Sequence, residues 1–145
     1  MKIAVIGGSF DPIHLGHIAL ARHVLKQHLA QEVWFMVSNM TPLKKRGLSD
    51  NQLRNEMVHA AISYDKHFRL CLLEQQREGY SYTIATVKEL KMRYPQHHFV
   101  WLIGNDQAMQ LSKWKDIEEL SKLIEFYVFP RNNETITCAY PHQKM

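Results

Sequence analysis

The sequence predicts a single doubly wound α/β domain on a parallel sheet of five strands, and three observations carry that prediction. Short, continuous apolar runs alternate with helical stretches along most of the chain, as strands of a parallel sheet covered on both faces require. The first run ends on Gly7-Gly8 and passes into a helix start, where such sheets bind ligands beyond their carboxyl strand ends. No internal repeat, low-complexity tract or linker breaks the alternation.

KIAVIG (2–7) is an apolar run ended by glycine, hence the first strand. Residues 16–29 are predicted helical, with Leu15, Ile18, Ala21, Leu25 and Leu29 on one stripe and Arg22, Lys26 and Gln27 off it. EVWFMVS (32–38) is the second strand. NMTPLKKRGLSD (39–50) is a loop holding Pro42 and Gly47, and Ser49 or Asp50 is placed to cap a helix reaching about residue 63. HFRLCLL (67–73) is the third strand and REGYS (77–81) a loop. TIATVKELKMRY (83–94) is helical and stops before Pro95, which disfavours helical backbone in its predecessor. HHFVWLIG (97–104) is the fourth strand, 105–122 holds one or two short helices, and IEFYVFP (124–130) is the fifth strand.

Composition narrows the function classes. A chain of 145 residues is long enough to bury a sizeable core, and 46% hydrophobic with 22% charged residues is ordinary for a water-soluble fold. No apolar run approaches the roughly 20 residues that span a bilayer, and the N-terminal one is too short for a signal peptide. Two cysteines, Cys71 and Cys138, without metal or redox spacing fit a reducing cytoplasm. A net charge of +4 with nine histidines favours an anionic ligand. Lysines and arginines are scattered rather than clustered, so a phosphorylated small molecule fits as well as a nucleic acid.

The chemistry gathers in GGSFDPIHLGH, Gly7 to His17. Glycines let the backbone turn sharply and let a phosphate come close to the main chain. The helix start behind them offers N–H groups and a partial positive charge, suited to an anion. His14 and His17, three apart, are expected to project from one side of the first turn and to donate to phosphate oxygens. Metal ligation is the competing use of two imidazoles, but only Asp11 offers a further ligand in the segment, so no metal site is expected.

GGSFDPIHLGH resembles the G-G-[ST]-F-D-P-x-H-x-G-H signature of the nucleotidylyltransferase superfamily, whose histidine pair contacts ATP phosphates. SYTIATVKEL (81–90), after Glu74 and Gly79, resembles the S-Y-T-x-x-T segment of bacterial nicotinate mononucleotide adenylyltransferases. TPLKK (41–45) is similar to that family's P-P-H-K or P-L-K-K loop, and Arg54 with Met57 to its R-x-x-M helix. LIGNDQAMQLSKWKDIEEL (102–120) resembles its I-G-x-D…W segment, and FPR (129–131) its strand-end arginine. The resemblance runs in order over residues 2–131.

It implies a Rossmann-like sheet of order 3-2-1-4-5 and adenylyl transfer from ATP to nicotinate mononucleotide, with Mg²⁺ carried mainly by the triphosphate. His14, His17 and Lys44 become the implied catalytic residues. Gly7, Gly8, Ser9, Phe10, Gly16, Gly104 and Asp106 fall on the ATP side, Asp106 as a ribose-hydroxyl acceptor or part of the adenosine site. Thr83, Tyr82 and Trp114 fall on the mononucleotide side, Trp114 as a stacking platform for the pyridine ring. The residues themselves leave simpler uses open: packing for Trp114, a helix cap for Thr83 and solvated charge for Lys44. The implied partners are two small-molecule substrates, with no nucleic acid or membrane, and a homo-oligomer is left open.

The departure lies after residue 131. The branch carries I-S-S-T-x-x-R beyond its fifth strand, whereas residues 132–145 read NNETITCAYPHQKM. Ala85 stands where many relatives have aspartate. The 1–145 domain is therefore expected to lack a phosphate-gripping segment. Three alternatives follow: a weakly active or non-catalytic relative, a segment supplied beyond this chain, or an ordered tail that substitutes. Another small nucleotidylyltransferase, such as a pantetheine-phosphate adenylyltransferase, is the alternative activity.

Overall fold

The computed structural model describes residues 1–39, 50–130 and 135–145, which form two compact units, Met1–Ser81 and Tyr82–Met145. In the first unit β1 (Lys2–Gly8), β2 (Glu32–Val37) and β3 (Phe68–Cys71) pair in parallel in the order β3-β2-β1. Ile3 to Ile6 lie opposite Glu32 to Phe35, and both runs are buried apart from Glu32. Parallel neighbours need long crossovers. Helices α1 (Leu15–Lys26) and α2 (Asn51–Ile62) lie in those connections.

The stripe that α1 buries is Ile18, Ala21 and Val24, while the predicted stripe member Leu15 is 87% exposed. Leu15 is the first helical residue, and the first turn holds it out to solvent before the packed face begins. Asp50 caps α2 as expected, its side chain accepting from the Leu53 N–H at 2.8 Å. The loop from β2 toward α2 lies outside the described residues over 40–49.

In the second unit β4 (His98–Gly104), β5 (Glu125–Phe129) and β6 (His142–Lys144) are also parallel, in the order β4-β5-β6. Helix α3 (Thr83–Arg93) stops at Tyr94, before Pro95, as predicted. Two short helices, α4 (Asn105–Met109) and α5 (Ile117–Leu123), occupy the stretch where one or two were expected. The count of five strands needs correction, because the described residues contain six. β6 escapes the sequence pattern because all three of its residues are exposed; it is held by its backbone ladder to β5 and by Gln143 Nε2, which donates to Glu125 Oε2 at 3.4 Å.

Candidate active site

β1 is apolar until it meets Gly7-Gly8, and the chain then turns. The sharp turn does not fall on those glycines, as the sequence suggested, but on Phe10, whose φ of 49° is left-handed. For a non-glycine residue that conformation costs about 1–2 kcal/mol. The ring offsets it by burial, at 3% exposure, with its centroid 5.8 Å from that of Phe35. It also meets the His17 ring edge-on at 4.9 Å. An aromatic side chain thus fixes a loop that the glycines only permit.

His14 is the N-cap of α1 and His17 the third helical residue. Their rings stack, with centroids 3.7 Å apart and planes 23° from parallel. Gly16 makes the stack possible: a Cβ there would lie 3.0 Å from His14 Cε1 and 3.1 Å from its Nδ1. The His14 backbone N–H donates to His17 Nδ1 at 3.1 Å. An accepting Nδ1 carries no proton, so the neutral ring holds its proton on Nε2, which is then a donor. Burial, with the neighbouring His14 adding to it, lowers the His17 pKa from its ordinary 6.5 to about 4. His17 is therefore an uncharged donor at neutral pH.

That shift has a sign in stability. The unfolded chain binds a proton on His17 below about pH 6.5, and the folded chain resists it until about pH 4. Stability contributed by the neutral ring is present above 6.5 and is lost as pH falls through 4. For a half-buried ring screened by solvent it amounts to on the order of 1–2 kcal/mol. Urea unfolding between pH 4 and 7 is expected to show a shallower acid loss in His17→Gln; an unchanged slope would place the titration on another group.

A guanidinium that the sequence places only within a family-like helix motif completes this part of the first unit. Arg54 of α2 is 0% exposed. Its Nη1 donates to the Ser9 carbonyl at 3.0 Å and approaches Ser38 Oγ at 3.5 Å, and its Nη2 donates to Asn51 Oδ1. Burial lowers its pKa, and the fields of Asp11 and Asp50 oppose that. The signal was present in the sequence: Arg54 stands four and eight residues before Val58 and Ile62, on the stripe that α2 buries. A charge at a core position asks for a reason.

The second unit holds the remaining predicted residues. Gly104 caps α4, its N–H accepted by Gln107 Oε1 at 3.3 Å, and the exposed Asp106 sits in the first turn. Tyr82, not Thr83, is the N-cap of α3, and Thr83 is the first helical residue. Lys115 Nζ lies 4.6 Å from the centre of the Tyr82 ring, which brings the start of α3 to the segment that carries Trp114. Trp114 is half-buried and meets Phe126 edge-on at 6.1 Å, so one part of its ring packs while another stays open. Lys44 and Arg131 lie outside the described residues.

Stacked imidazoles and helix-start N–H groups are donors, which suit an anion. Among the described residues no group of three or more metal-ligating side chains comes together. No helix among them is long and apolar enough to cross a membrane. In the second unit, a segment the sequence left unassigned meets the start of α4. Asn105, buried at the first position of α4, donates to the Thr135 carbonyl at 3.0 Å and accepts from the Thr137 N–H at 2.9 Å.

The cytidylyltransferase-like family model matches residues 5–144. The chain is 40% identical over 141 residues to the nicotinate-nucleotide adenylyltransferase of Bacillus subtilis, covering 97% of this chain and 75% of that one. It is 44% identical over 131 residues to a Shouchella clausii protein named "Probable nicotinate-nucleotide adenylyltransferase", covering 90% of this chain and 68% of that one. Its fold is similar to that of the Plasmodium falciparum nicotinic acid mononucleotide adenylyltransferase complexed with NaAD. There the TM-score is 0.84 at 20% identity, over 99% of this chain and 74% of the other. That likeness shows the Rossmann-like parallel α/β fold the sequence predicts.

Proposed function

Because the chain belongs to the nicotinate-nucleotide adenylyltransferase family, we propose that it transfers the adenylyl group of ATP to nicotinate mononucleotide in the cytoplasm, a step of NAD synthesis. The mononucleotide phosphate oxygen forms a bond to the α-phosphorus, the bond from that phosphorus to the β-phosphate bridging oxygen breaks, and pyrophosphate leaves. Such a displacement needs no covalent enzyme intermediate, so the protein contributes positioning and charge stabilisation. The observation that carries the reading is the neutral His17, held with Nε2–H as its donor and stacked on His14 at the start of α1.

In this reading His14 and His17 donate to phosphate oxygens of ATP, beside the backbone of Gly7, Gly8, Ser9, Phe10 and Gly16. Gly104 and Asp106 serve the adenosine side. Thr83, Tyr82 and Trp114 take the mononucleotide, with the open part of the Trp114 ring stacking on the pyridine. Magnesium enters with the triphosphate as part of the substrate.

Pyrophosphate release with ATP, Mg²⁺ and nicotinate mononucleotide is the test, with phosphopantetheine as the competing acceptor. Turnover is expected with the mononucleotide. Turnover with phosphopantetheine alone would overturn the reading. In the same assay Trp114→Ala is expected to raise KM for the mononucleotide severalfold and leave KM for ATP within about twofold, since stacking on one base is worth roughly 1–3 kcal/mol. A lowered melting temperature with both KM values unchanged would assign Trp114 to packing against Phe126.

A further inference from the structure

We infer that Arg54 is a positioning residue for adenylyl transfer: it clamps the Ser9–Phe10 peptide so that the Phe10 N–H is turned away from α2 and toward the bound phosphates. The clamp rests on the functional reading above for its purpose, but its geometry stands by itself.

A buried guanidinium is weak evidence for stability, because apolar residues of similar volume commonly serve a core as well or better. Arg54 sits on the same buried stripe as Val58 and Ile62, so apolar packing alone would not select it. What an apolar side chain could not do is hold a carbonyl. Arg54 Nη1 holds that of Ser9 at 3.0 Å. A trans peptide is planar, with its C=O and N–H pointing in opposite directions. Fixing the Ser9 oxygen on the Arg54 side therefore fixes the Phe10 N–H on the other side.

The residue whose N–H is aimed is also the one with a left-handed φ of 49°. Rotation of that peptide unit would relieve Phe10 and turn its N–H away, and the guanidinium opposes the rotation. Arg54 is itself oriented. Its Nη2 donates to Asn51, and Asn51 Nδ2 donates to Asn39 Oδ1 at 2.8 Å. Asn39 Nδ2 in turn donates to the carbonyls of Arg77 at 2.8 Å and Gly79 at 3.3 Å. A polar chain thus runs from the phosphate loop through α2 and the end of β2 to the loop over residues 77–79.

The experiment uses the full chain labelled with ¹⁵N, in wild-type, Arg54→Lys and Asn51→Ala forms. Lysine keeps the charge and loses the fork; Asn51→Ala leaves Arg54 in place and removes one of its supports. For Arg54→Lys the expected result is a 10- to 100-fold fall in kcat with KM for nicotinate mononucleotide within about twofold. With inorganic pyrophosphate bound as the acceptor of the Phe10 N–H, exchange of the Phe10 amide should be at least tenfold faster than in the wild type under the same conditions, while β5 amides exchange as before. Asn51→Ala should move both readouts in the same direction by less, and it decides the matter if Arg54→Lys does not fold. Unchanged Phe10 exchange and kcat in the folded variants would overturn the clamp. So would equal acceleration of Phe10 and β5 amides, which would make Arg54 a stabiliser of the fold only. A wild-type chain without adenylyl transfer would sink the functional reading, while Phe10 exchange would still decide the clamp.

Discussion

His17→Ala is expected to lower kcat by 10²–10³ while mononucleotide binding stays within about twofold. The loss corresponds to one preorganised donor to charge that develops on phosphate oxygens, roughly 2.7–4 kcal/mol. Preorganisation is visible in the structure: the His14 N–H occupies Nδ1, Phe10 meets the ring at its edge and His14 covers its face. None of these partners has to move when charge appears. The alanine also frees the stack, so His14 loses its orientation, and His14→Ala in the same background should add little. Steady-state pyrophosphate release with calorimetry of mononucleotide binding checks both statements. A kcat within threefold of wild type would remove His17 from the chemistry.

The second large effect is on stability. Asn105→Ala is expected to lower the unfolding free energy by roughly 1.5–3 kcal/mol, the loss of two hydrogen bonds to backbone with one partner in each left unpaired or rehydrated. Those bonds hold Thr135 and Thr137 to the start of α4. Beyond them the chain runs into β6, where the Met145 N–H donates to the Val128 carbonyl at 3.0 Å. Urea midpoints give the energy, and amide exchange at Met145 gives the location. If the midpoint falls and Met145 exchange does not rise, β6 is held by its ladder to β5 alone. Asn105 lies between Gly104 and Asp106, so the variant should also raise KM for ATP if that turn serves the adenosine side.

Much of this architecture could be read from residue order. Apolar runs marked β1, β2, β4 and β5 because parallel strands bury both faces, and Asp50 and Pro95 marked a helix start and a helix end by local chemistry. The histidine pair was legible because spacing of three places both rings on one turn. Three features were not. Leu15 was assigned to the packed face because periodicity does not say where a helix enters the core, and here the helix enters it at Ile18 while Leu15 stands in solvent. Phe10 took the conformation expected of glycine because a distant aromatic, Phe35, supplies the burial that compensates. β6 left no signal because His142, Gln143 and Lys144 have no apolar face, and backbone pairing is silent in a sequence.

That short strand has a consequence for how the protein keeps its own company. β5 reads EFYVF, with Phe126, Tyr127 and Val128 buried, and on one side its backbone is paired with β4. Without β6, its other side would present open N–H and C=O groups along an aromatic, β-branched run, a template on which a second molecule could add a strand. β6 occupies that side with three residues only, and brings a lysine and a histidine to the rim. Charged side chains along a strand edge oppose the addition of another strand. Among the described residues β6 covers that side of β5 over Phe126 to Val128, so the open groups of this aromatic run are already paired.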